Sequence, residues 1–182
     1  MVEVFISVDI ETSGSIPGKY SMLSLGACEI GRTERRFYVE LRPTSEVFVP
    51  EAMKVVGRPL SEFAEVGQEP RTAMGAFRDW IEQIRENRQP VFAAFNATFD
   101  WSFVNWYFQT YLQHNPFGYA GLDIKSYYMG LKGCSWADTR LSRIAKEYKT
   151  ISPHTHNALD DAIQQAEMFE LMLSHFTNST II

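Results

Sequence analysis

The feature that most constrains the fold of this chain is a set of acidic residues placed far apart in the sequence. They lie in three short motifs: Asp9-Ile10-Glu11, Asn96-Ala97-Thr98-Phe99-Asp100 and His156-Asn157-Ala158-Leu159-Asp160-Asp161. Only folding can bring such distant acids together, and four converging carboxylates repel one another strongly unless divalent cations lie between them. The set therefore predicts a bound metal.

Length and composition favour one folded domain. The chain has 182 residues, of which 45% are hydrophobic and 14% aromatic, and this is ample for a sizeable core. We expect a single domain over residues 1–178 and a C-terminal tail over residues 179–182. No apolar run approaches the roughly 20 residues that a membrane-spanning helix needs.

The cysteines and the net charge bear on the location of the chain and on its partners. Cys28 and Cys134 lack the spacing of metal ligands, and the first residues do not resemble a secretion signal, so we expect a reduced, cytoplasmic protein. The net charge of −5 at first argues against a nucleic-acid binder. An acidic metal site offsets that count, because cations neutralise it when they bind.

The N-terminal part of the chain predicts an antiparallel meander. Residues 2–10 are β-rich and almost continuously apolar, as in a central strand that is covered on both faces. Asp9 and Glu11 close this strand, and both project together at its end because side chains two apart on a strand share a face. Residues 22–30 and 36–41 predict two further strands joined by a glycine turn.

After Pro50 the pattern changes to helices that alternate with strands. The predicted segments are a short helix ended by Gly57, a helix over residues 72–86, a strand over 91–95, a helix over 99–112, a strand over 121–124, and helices over 139–148 and from about 157 onward. The last helix carries one apolar stripe, formed by Leu159, Ala162, Ile163, Ala166, Phe169, Leu173 and Phe176. This stripe predicts that the helix packs on the sheet with its first turn near the strand ends.

The order of the three acidic motifs is more informative than any one of them, since an Asp-x-Glu pair alone often occurs by chance. Here an Asp-x-Glu closes the first strand, an Asn-x-x-x-Asp follows a later strand, and a His-x-x-x-x-Asp opens the last helix. This order resembles that of the DEDDh family of 3′–5′ exonucleases. The resemblance extends to Thr12-Ser13-Gly14, Gly26-Ala27, Pro50-Glu51-Ala52 and Leu122-Asp123 before a helix. It implies an α/β fold of the ribonuclease H-like type, a mixed five-stranded sheet with three antiparallel and then two parallel strands, flanked by helices. Relatives include polymerase proofreading exonucleases, ribonuclease T and oligoribonuclease.

The resemblance also implies a role for each residue of the motifs. Asp9, Glu11 and Asp161 would ligate one Mg²⁺ or Mn²⁺, Asp9 would also reach a second ion, and Asp100 would hold that second ion or its water shell. Two ions about 3.5–4 Å apart stabilise the attacking and leaving oxygens of a displacement at phosphorus. His156 would be the general base that takes a proton from the attacking water, a task suited to a side chain that titrates near neutrality.

Neighbouring residues compete with two of these assignments. His154 lies two residues before His156, but the spacing to Asp161 favours His156 as the base. Asp160 competes with Asp161 as a ligand, and its alternative role is that of an acid favoured near a helix N-terminus. Asn96 is expected to satisfy backbone groups at the strand end and so to orient Asp100.

The loop after Glu11 is the expected contact for the 3′ end of a substrate, because it adjoins the metals. By resemblance, Thr12 would meet the terminal 3′-hydroxyl, and an apolar residue shortly afterwards would wedge against the last base. The sequence departs from the family here, since Ser15 stands where a Leu commonly follows Thr-x-Gly. Ile16 or Met22 is then the expected wedge.

Aromatic and basic residues supply further hypotheses. The helix predicted over residues 99–112 carries Phe99, Trp101, Phe103, Trp106, Tyr107, Phe108 and Tyr111. Core burial is the favoured interpretation, while base stacking, with Phe99 as a substrate contact, and a homodimer interface are the alternatives. Between residues 125 and 149, six basic residues face only two acids, and these charges fit either a phosphate-tracking surface or a solvated helix face.

These observations predict a metal-dependent 3′–5′ exonuclease that releases nucleoside 5′-monophosphates from single-stranded 3′ ends of DNA or RNA. The alternative is a catalytically idle module of the same fold that binds nucleic acid or a polymerase, and a proofreading role would require a polymerase partner. The presence of all five catalytic residues favours activity. A small-molecule phosphodiesterase is disfavoured, because the chain has no phosphate-cradling glycine-rich loop.

Overall fold

The structure is a computed structural model that describes residues 2–152 and 155–179, with only the backbone for residues 175–179. Within these residues, five strands form one sheet in the order β3-β2-β1-β4-β5. The strands are β1 (Glu3–Thr12), β2 (Met22–Glu29), β3 (Arg32–Glu40), β4 (Gln89–Ala94) and β5 (Gly121–Asp123). The pairs β1–β2 and β2–β3 are antiparallel, whereas β1–β4 and β4–β5 are parallel. The predicted mixed sheet is therefore confirmed.

Helices flank both faces of this sheet. They are α1 (Pro50–Val56), α2 (Leu60–Val66), α3 (Pro70–Arg85), α4 (Ala97–Leu112), α5 (Ile124–Lys132), α6 (Leu141–Glu147) and α7 (Ala158–Ser179), with a 3₁₀ turn at Trp136–Thr139. Gly57 ends α1 with a positive φ of 72°, as its sequence position predicts. Among the described residues, no helix combines the length and the apolar character that crossing a membrane requires.

Several element boundaries differ from the prediction. The sequence did not reveal α2, because this seven-residue helix buries only Phe63 and so carries almost no periodic signal. The helix predicted over residues 139–148 is shorter in the structure, where it is α6 (Leu141–Glu147), because Thr139 belongs to the preceding 3₁₀ turn and Arg140 is extended. α7 continues through Ser179, the first residue of the predicted tail, and residues 180–182 lie outside the described residues.

The core lies on both sides of the sheet. On one side, Ile6, Val8 and Ile10 of β1 join a cluster with α3 and α4. On the other side, Phe5 packs edge to face on Phe169 of α7, with ring centroids 5.8 Å apart. Because side chains alternate along a strand, Asp9 and Glu11 project from the same face as Phe5, toward α7.

The aromatic residues of α4 mostly belong to this core, which confirms the favoured interpretation. Phe103, Tyr107 and Phe108 are fully buried, and Trp101, Trp106 and Tyr111 pack partly buried against the same cluster. Phe99 differs from them, since it is 37% exposed at the first turn of the helix.

A glycine allows α7 to approach the sheet closely. Gly26 of β2 lies opposite Asp9 in the strand register. A Cβ at this position would overlap the backbone of Ala158 and Leu159. The first turn of α7, which carries Asp161, is therefore held directly beside the strand that carries Asp9.

Candidate active site

The sheet topology brings the three acidic motifs to one edge. β1 and β4 are parallel, so their C-terminal ends lie side by side, with Asp9 and Glu11 on one and Asn96 and Asp100 just after the other. Asp161 enters from the first turn of α7. These residues line one cleft of about 330 Å³, together with Ile10, Val55, Phe95, Phe99, Leu141, His156, Gln164 and Gln165.

Burial and mutual repulsion raise the pKa of three of these carboxyl groups. The pKa of Asp9 is well above its usual value, because the group is buried and lies near Asp100, Glu11 and Asp161. Burial, with repulsion from Asp161, raises the pKa of Glu11 to about 7. Burial raises the pKa of Asp100 to about 8, although backbone N–H groups of Asp100 itself and of Ile10 act in the opposite direction. Bound cations would relieve this repulsion.

The donor atoms in the cleft suit a divalent cation. Among the described residues, Glu11, His156 and Asp161 offer ligand atoms that all lie within 4.8 Å of one another. Carboxylate oxygens are the ligands that Mg²⁺ and Mn²⁺ prefer, and Asp9 and Asp100 add two more carboxylates to the same cleft.

The loop before α7 folds around the carboxylate of Asp161. The backbone N–H of Thr155 donates to Oδ1 at 2.8 Å, and the backbone N–H of His156 donates to Oδ2 at 3.1 Å. His156 has a positive φ of 58°, and its side chain lines the cleft. Asp160 is exposed instead and accepts from the hydroxyl of Thr155 at 3.1 Å. His154, the competing histidine, lies outside the described residues.

Gln165 connects Asp9 to the neighbouring strand. Its Nε2 donates to Asp9 Oδ1 at 2.6 Å, and its Oε1 accepts from the backbone N–H of Phe95 at 2.7 Å. Both bonds are partly buried, and they fix the orientation of the Asp9 carboxylate. The acidic motifs did not identify this residue. Its signal was its position four residues after Asp161, which places both side chains on one face of α7.

Asp123 accepts hydrogen bonds from the first turns of α4 and α5. The acidic motifs did not identify it as a site residue either. Its Oδ2 accepts from the backbone N–H of Ala97, and its Oδ1 accepts from the backbone N–H and the hydroxyl of Ser126. An Asp three residues before a Ser, at the expected start of a helix, is the signal of an N-cap.

The prediction for Asn96 is wrong in its details. Asn96 lies before α4 with a positive φ of 66°, and within the described residues its side chain makes no capping hydrogen bond. Its Oδ1 accepts from Lys125 Nζ at 2.8 Å instead. At the start of α4 it is Asp123 that accepts from a backbone N–H, that of Ala97.

The predicted substrate contacts fall into different environments. Thr12 is buried, with its hydroxyl donating to Gly14 O at 2.8 Å. It lines a small pocket of about 230 Å³ with Gly14, Ser15, Val49, Ala52 and Phe99, and Phe99 also lines the main cleft. Ile16 is 53% exposed. The Met22 alternative is wrong, because its side chain is fully buried in the core and its N–H donates to Tyr107 Oη at 2.8 Å.

The fold and the site define a class of protein, and comparison with known proteins identifies the same class. Residues 6–169 match the family model RNase_T, which carries the description "Exonuclease". The chain therefore belongs to this exonuclease family, and it is an enzyme of the 3′–5′ exonuclease class. Its sequence is 51% identical over 171 residues to the 3′-5′ DNA exonuclease Cap18 of Escherichia coli, covering 93% of this chain and 91% of that protein.

Solved structures show the same fold at low identity. The nuclease domain of 3′hExo, a DEDDh family member bound to rAMP, superposes with a TM-score of 0.76 at 12% identity, covering 96% of this chain and 93% of that one. E. coli Exonuclease I in complex with a dT13 oligonucleotide gives a TM-score of 0.71 at 16% identity, covering 97% of this chain and 43% of that one.

Proposed function

We propose that the protein hydrolyses the 3′-terminal phosphodiester of single-stranded DNA and releases nucleoside 5′-monophosphates one at a time, with two divalent cations. The observation that carries this proposal is the convergence of Asp9, Glu11, Asp100, Asp161 and His156 in one cleft. The choice of DNA rests on the DNA exonuclease that is 51% identical to this chain. Occupation of all five positions argues against a catalytically idle binding module.

The cations, Mg²⁺ or Mn²⁺, would be held by the four carboxylates. The raised pKa values of Asp9, Glu11 and Asp100 support this assignment, because they reflect negative charge that is crowded and poorly solvated. When bound, two cations stabilise the attacking and the leaving oxygen of an in-line displacement at phosphorus. Gln165 holds Asp9 in one orientation for this purpose.

His156 acts as the general base. An imidazole nitrogen of His156 accepts a proton from the attacking water as the new oxygen–phosphorus bond forms. The bond from phosphorus to the 3′-oxygen of the preceding nucleotide breaks in the same displacement, and that oxygen takes up a proton from water. The products are a nucleoside 5′-monophosphate and a strand that is one nucleotide shorter with a free 3′-hydroxyl. Asp161 supports the base by accepting a hydrogen bond from the backbone N–H of His156.

The terminal nucleotide binds beside Thr12. In this proposal the backbone and side chain of Thr12 meet the 3′-hydroxyl, and the small pocket formed with Val49, Ala52 and Phe99 takes the last base. The exposed side chain of Ile16 is the remaining candidate for a wedge against that base. Asn96, at the rim of the cleft, contacts the strand through its amide.

Three further predictions concern the location of the enzyme in the cell, a polymerase partner and a homodimer. A cytoplasmic location remains a prediction from the sequence, and a polymerase partner remains a prediction from the family resemblance. A homodimer through α4 loses most of its basis, because the aromatic residues that suggested it pack against the core of their own chain. Analytical ultracentrifugation of the purified protein tests the dimer directly.

The choice of DNA is tested with 5′-labelled single strands of DNA and RNA of matched sequence, each incubated with Mg²⁺, Mn²⁺ or EDTA. We expect shortening from the 3′ end with either ion, faster on DNA, and none in EDTA. Faster shortening of RNA would overturn the substrate assignment while leaving the reaction in place. A His156→Gln variant serves as the slow control on both polymers.

A further inference from the structure

An exposed tryptophan beside the catalytic cleft has no role in the proposed mechanism. Trp136, in the 3₁₀ turn before α6, is 55% exposed, whereas tryptophan side chains are highly buried on average. Single exposed apolar residues are common on protein surfaces, so the position of this indole relative to the cleft and to nearby charges decides whether it can bind a ligand.

Trp136 is connected to the cleft through one lysine. Lys125 Nζ lies 4.3 Å from the centroid of the indole ring and donates to Asn96 Oδ1 at 2.8 Å. It also lies 5.7 Å from the ring centroid of Phe95. Asn96 and Phe95 both line the catalytic cleft, so the ammonium group stands between the cleft and the exposed indole.

The order of the strands places Lys125 and Trp136 on the side of the cleft away from Thr12, the proposed contact of the 3′ end. The parallel strands β1, β4 and β5 lie in this order, and their C-terminal ends meet at one edge. Thr12 ends β1, Asn96 follows β4, and Lys125 follows β5 in the first turn of α5. A strand whose 3′ end lies at Thr12 and whose scissile phosphate lies at the acids can therefore continue over β4 toward Lys125 and Trp136.

The charges on this side of the cleft fit a polyanion. Of the six basic residues between 125 and 149, Lys132 pairs with Glu147 and Arg143 pairs with Asp138. Lys125 uses one of its three N–H donors on Asn96, which leaves two for a phosphate. Arg140 is exposed directly before Leu141, a residue that lines the cleft. An aromatic platform with adjacent cations is the chemistry by which proteins hold single-stranded nucleic acid.

We propose that Lys125 and Trp136 form a second subsite, the exit rim, which holds the substrate strand on the 5′ side of the scissile bond. A base stacks on the indole of Trp136, and the ammonium group of Lys125 binds a backbone phosphate. The exit rim rests on the proposed function, because its occupant is the strand that the cleft degrades.

The test of Trp136 compares a long substrate with one too short to reach the exit rim. The long substrate is single-stranded DNA, and the short one is the p-nitrophenyl ester of thymidine 5′-monophosphate. For Trp136→Ala we expect kcat/KM on DNA to fall about tenfold, chiefly because KM rises. A change of this size lies within the range expected for the loss of one base–aromatic stack. Hydrolysis of the ester should be unchanged, and Trp136→Phe should recover part of the loss on DNA.

Tyr119→Ala is the matched control. Tyr119 is 97% exposed and precedes β5, at the opposite end of that strand from Lys125, so its truncation should change neither substrate. A loss for Trp136→Ala on DNA and ester alike would assign Trp136 a structural role and overturn the exit rim. Unchanged kinetics on DNA would overturn it as well.

Lys125 is tested by the salt dependence of binding, which also separates the two proposals. The Kd for labelled single-stranded DNA is measured in EDTA over a range of KCl concentrations, where no hydrolysis occurs. Losing one phosphate contact should make the slope of log K against log salt shallower by about 0.7 for Lys125→Met. Trp136→Ala should weaken binding at every salt concentration without changing the slope, and Arg71→Met on α3 should change neither.

An unchanged slope for Lys125→Met would contradict the phosphate contact. Wild-type protein that hydrolyses neither substrate would contradict the exonuclease assignment, whereas the binding comparison would still decide for or against the exit rim.

Discussion

At the scale of single residues, the cleft depends on how each carboxylate is held. Asp161 accepts two backbone N–H groups from the loop that carries His156, and Asp9 accepts the amide of Gln165. These bonds leave the carboxylates crowded, as the raised pKa of Asp9 shows, but they fix the direction in which the oxygens point. These carboxylates are therefore already oriented for the proposed cations in the metal-free protein.

Gln165→Met tests the hydrogen bond to Asp9 at nearly constant side-chain volume. The change removes the donor to Asp9 and leaves the backbone N–H of Phe95 without its acceptor. We expect activity to fall about 10- to 100-fold, the usual cost of losing a partner of a metal ligand. The metal concentration for half-maximal activity should rise, which a purely structural defect would not produce.

Gln83→Met, at an exposed position of α3, is the control for Gln165→Met and should leave the metal titration unchanged. An unaltered half-maximal metal concentration for Gln165→Met would show that Gln165 does not position Asp9.

Asp100→Asn should separate activity from stability. We expect activity to fall more than about 100-fold, because losing a ligand costs more than losing its hydrogen-bond partner. The metal-free variant should nevertheless unfold at a higher temperature than the wild type at about pH 8, since the change removes a buried charge from a crowded cleft. Thermal unfolding in EDTA measures the second effect.

Asp79→Asn, an exposed carboxyl on α3 that pairs with Arg78, is the comparison for Asp100→Asn and should alter neither property. Lower stability of metal-free Asp100→Asn at that pH would contradict the account of repulsion.

Sequence motifs identify the proposed metal ligands and base more readily than the residues that support them. Asp9, Glu11, Asp100, Asp161 and His156 carry spacings that single them out, and the structure brings them into one cleft. Gln165, Asp123 and Lys125 each make a hydrogen bond to a partner that is distant in sequence. Local signals can indicate the helix face of Gln165 and the cap position of Asp123, but they do not specify these distant partners, which only the fold reveals.

At the scale of secondary structure, the close contact between α7 and β2 determines whether Asp161 reaches Asp9. The contact uses small residues on both sides, with Gly26 facing the backbone of Ala158 and Ala162 buried one turn later. The apolar stripe of α7 predicted this packing, but the need for a glycine opposite the first turn follows only from the strand register.

Gly26→Ala tests this contact. The added Cβ would overlap the first turn of α7, so the helix must shift and carry Asp161 away from Glu11. We expect lower thermal stability and a loss of activity. Gly75→Ala on α3 is the matched control, because its Cβ meets no atom of the described residues within 4 Å. It should stabilise the protein by about 0.5–1 kcal/mol, the usual gain of Gly to Ala within a helix.

Wild-type activity in Gly26→Ala would show that α7 can keep Asp161 in place without the close approach. Equal losses of stability in both glycine variants would mean that the effect is not specific to the contact with β2.

Long elements were predictable from the sequence because each carries many apolar residues over several turns or residues. α3 and α7 show an apolar face, α4 is apolar on nearly every side, and β1 is almost continuously apolar. The short elements α2 and the 3₁₀ turn have too few buried residues to produce a pattern. Trp136 lies in that turn, so its position beside the cleft could not be derived from its sequence neighbours.

At the scale of the whole molecule, stability and metal binding are linked through pH. Glu11 and Asp100 have pKa values of about 7 and about 8 in the folded protein, whereas ordinary values are 4.5 and 3.8. At pH values between the ordinary and the raised pKa of each group, the folded state binds more protons than the unfolded state. The free energy of unfolding of the metal-free protein should therefore fall as the pH rises through this window.

Thermal unfolding in EDTA and in Mn²⁺ measures this linkage. We expect the metal-free protein to lose stability between about pH 5 and about pH 8, and Mn²⁺ to raise Tm more at the higher pH, where the ligands are more readily deprotonated. Asp100→Asn should flatten the dependence in EDTA. Metal-free stability that rises over this range would contradict the assigned pKa shifts.

We propose that the converging acids and His156 form a metal-dependent exonuclease site that works from the 3′ end. This proposal is tested by following 5′-labelled single-stranded DNA with wild-type protein and with Asp9→Asn, each in Mg²⁺ and in EDTA. We expect a ladder that shortens from the 3′ end, with nucleoside 5′-monophosphates as products, only for wild-type protein in Mg²⁺. Immediate release of the labelled 5′ nucleotide, internal cleavage, or an unchanged ladder with Asp9→Asn would show that this assignment is wrong.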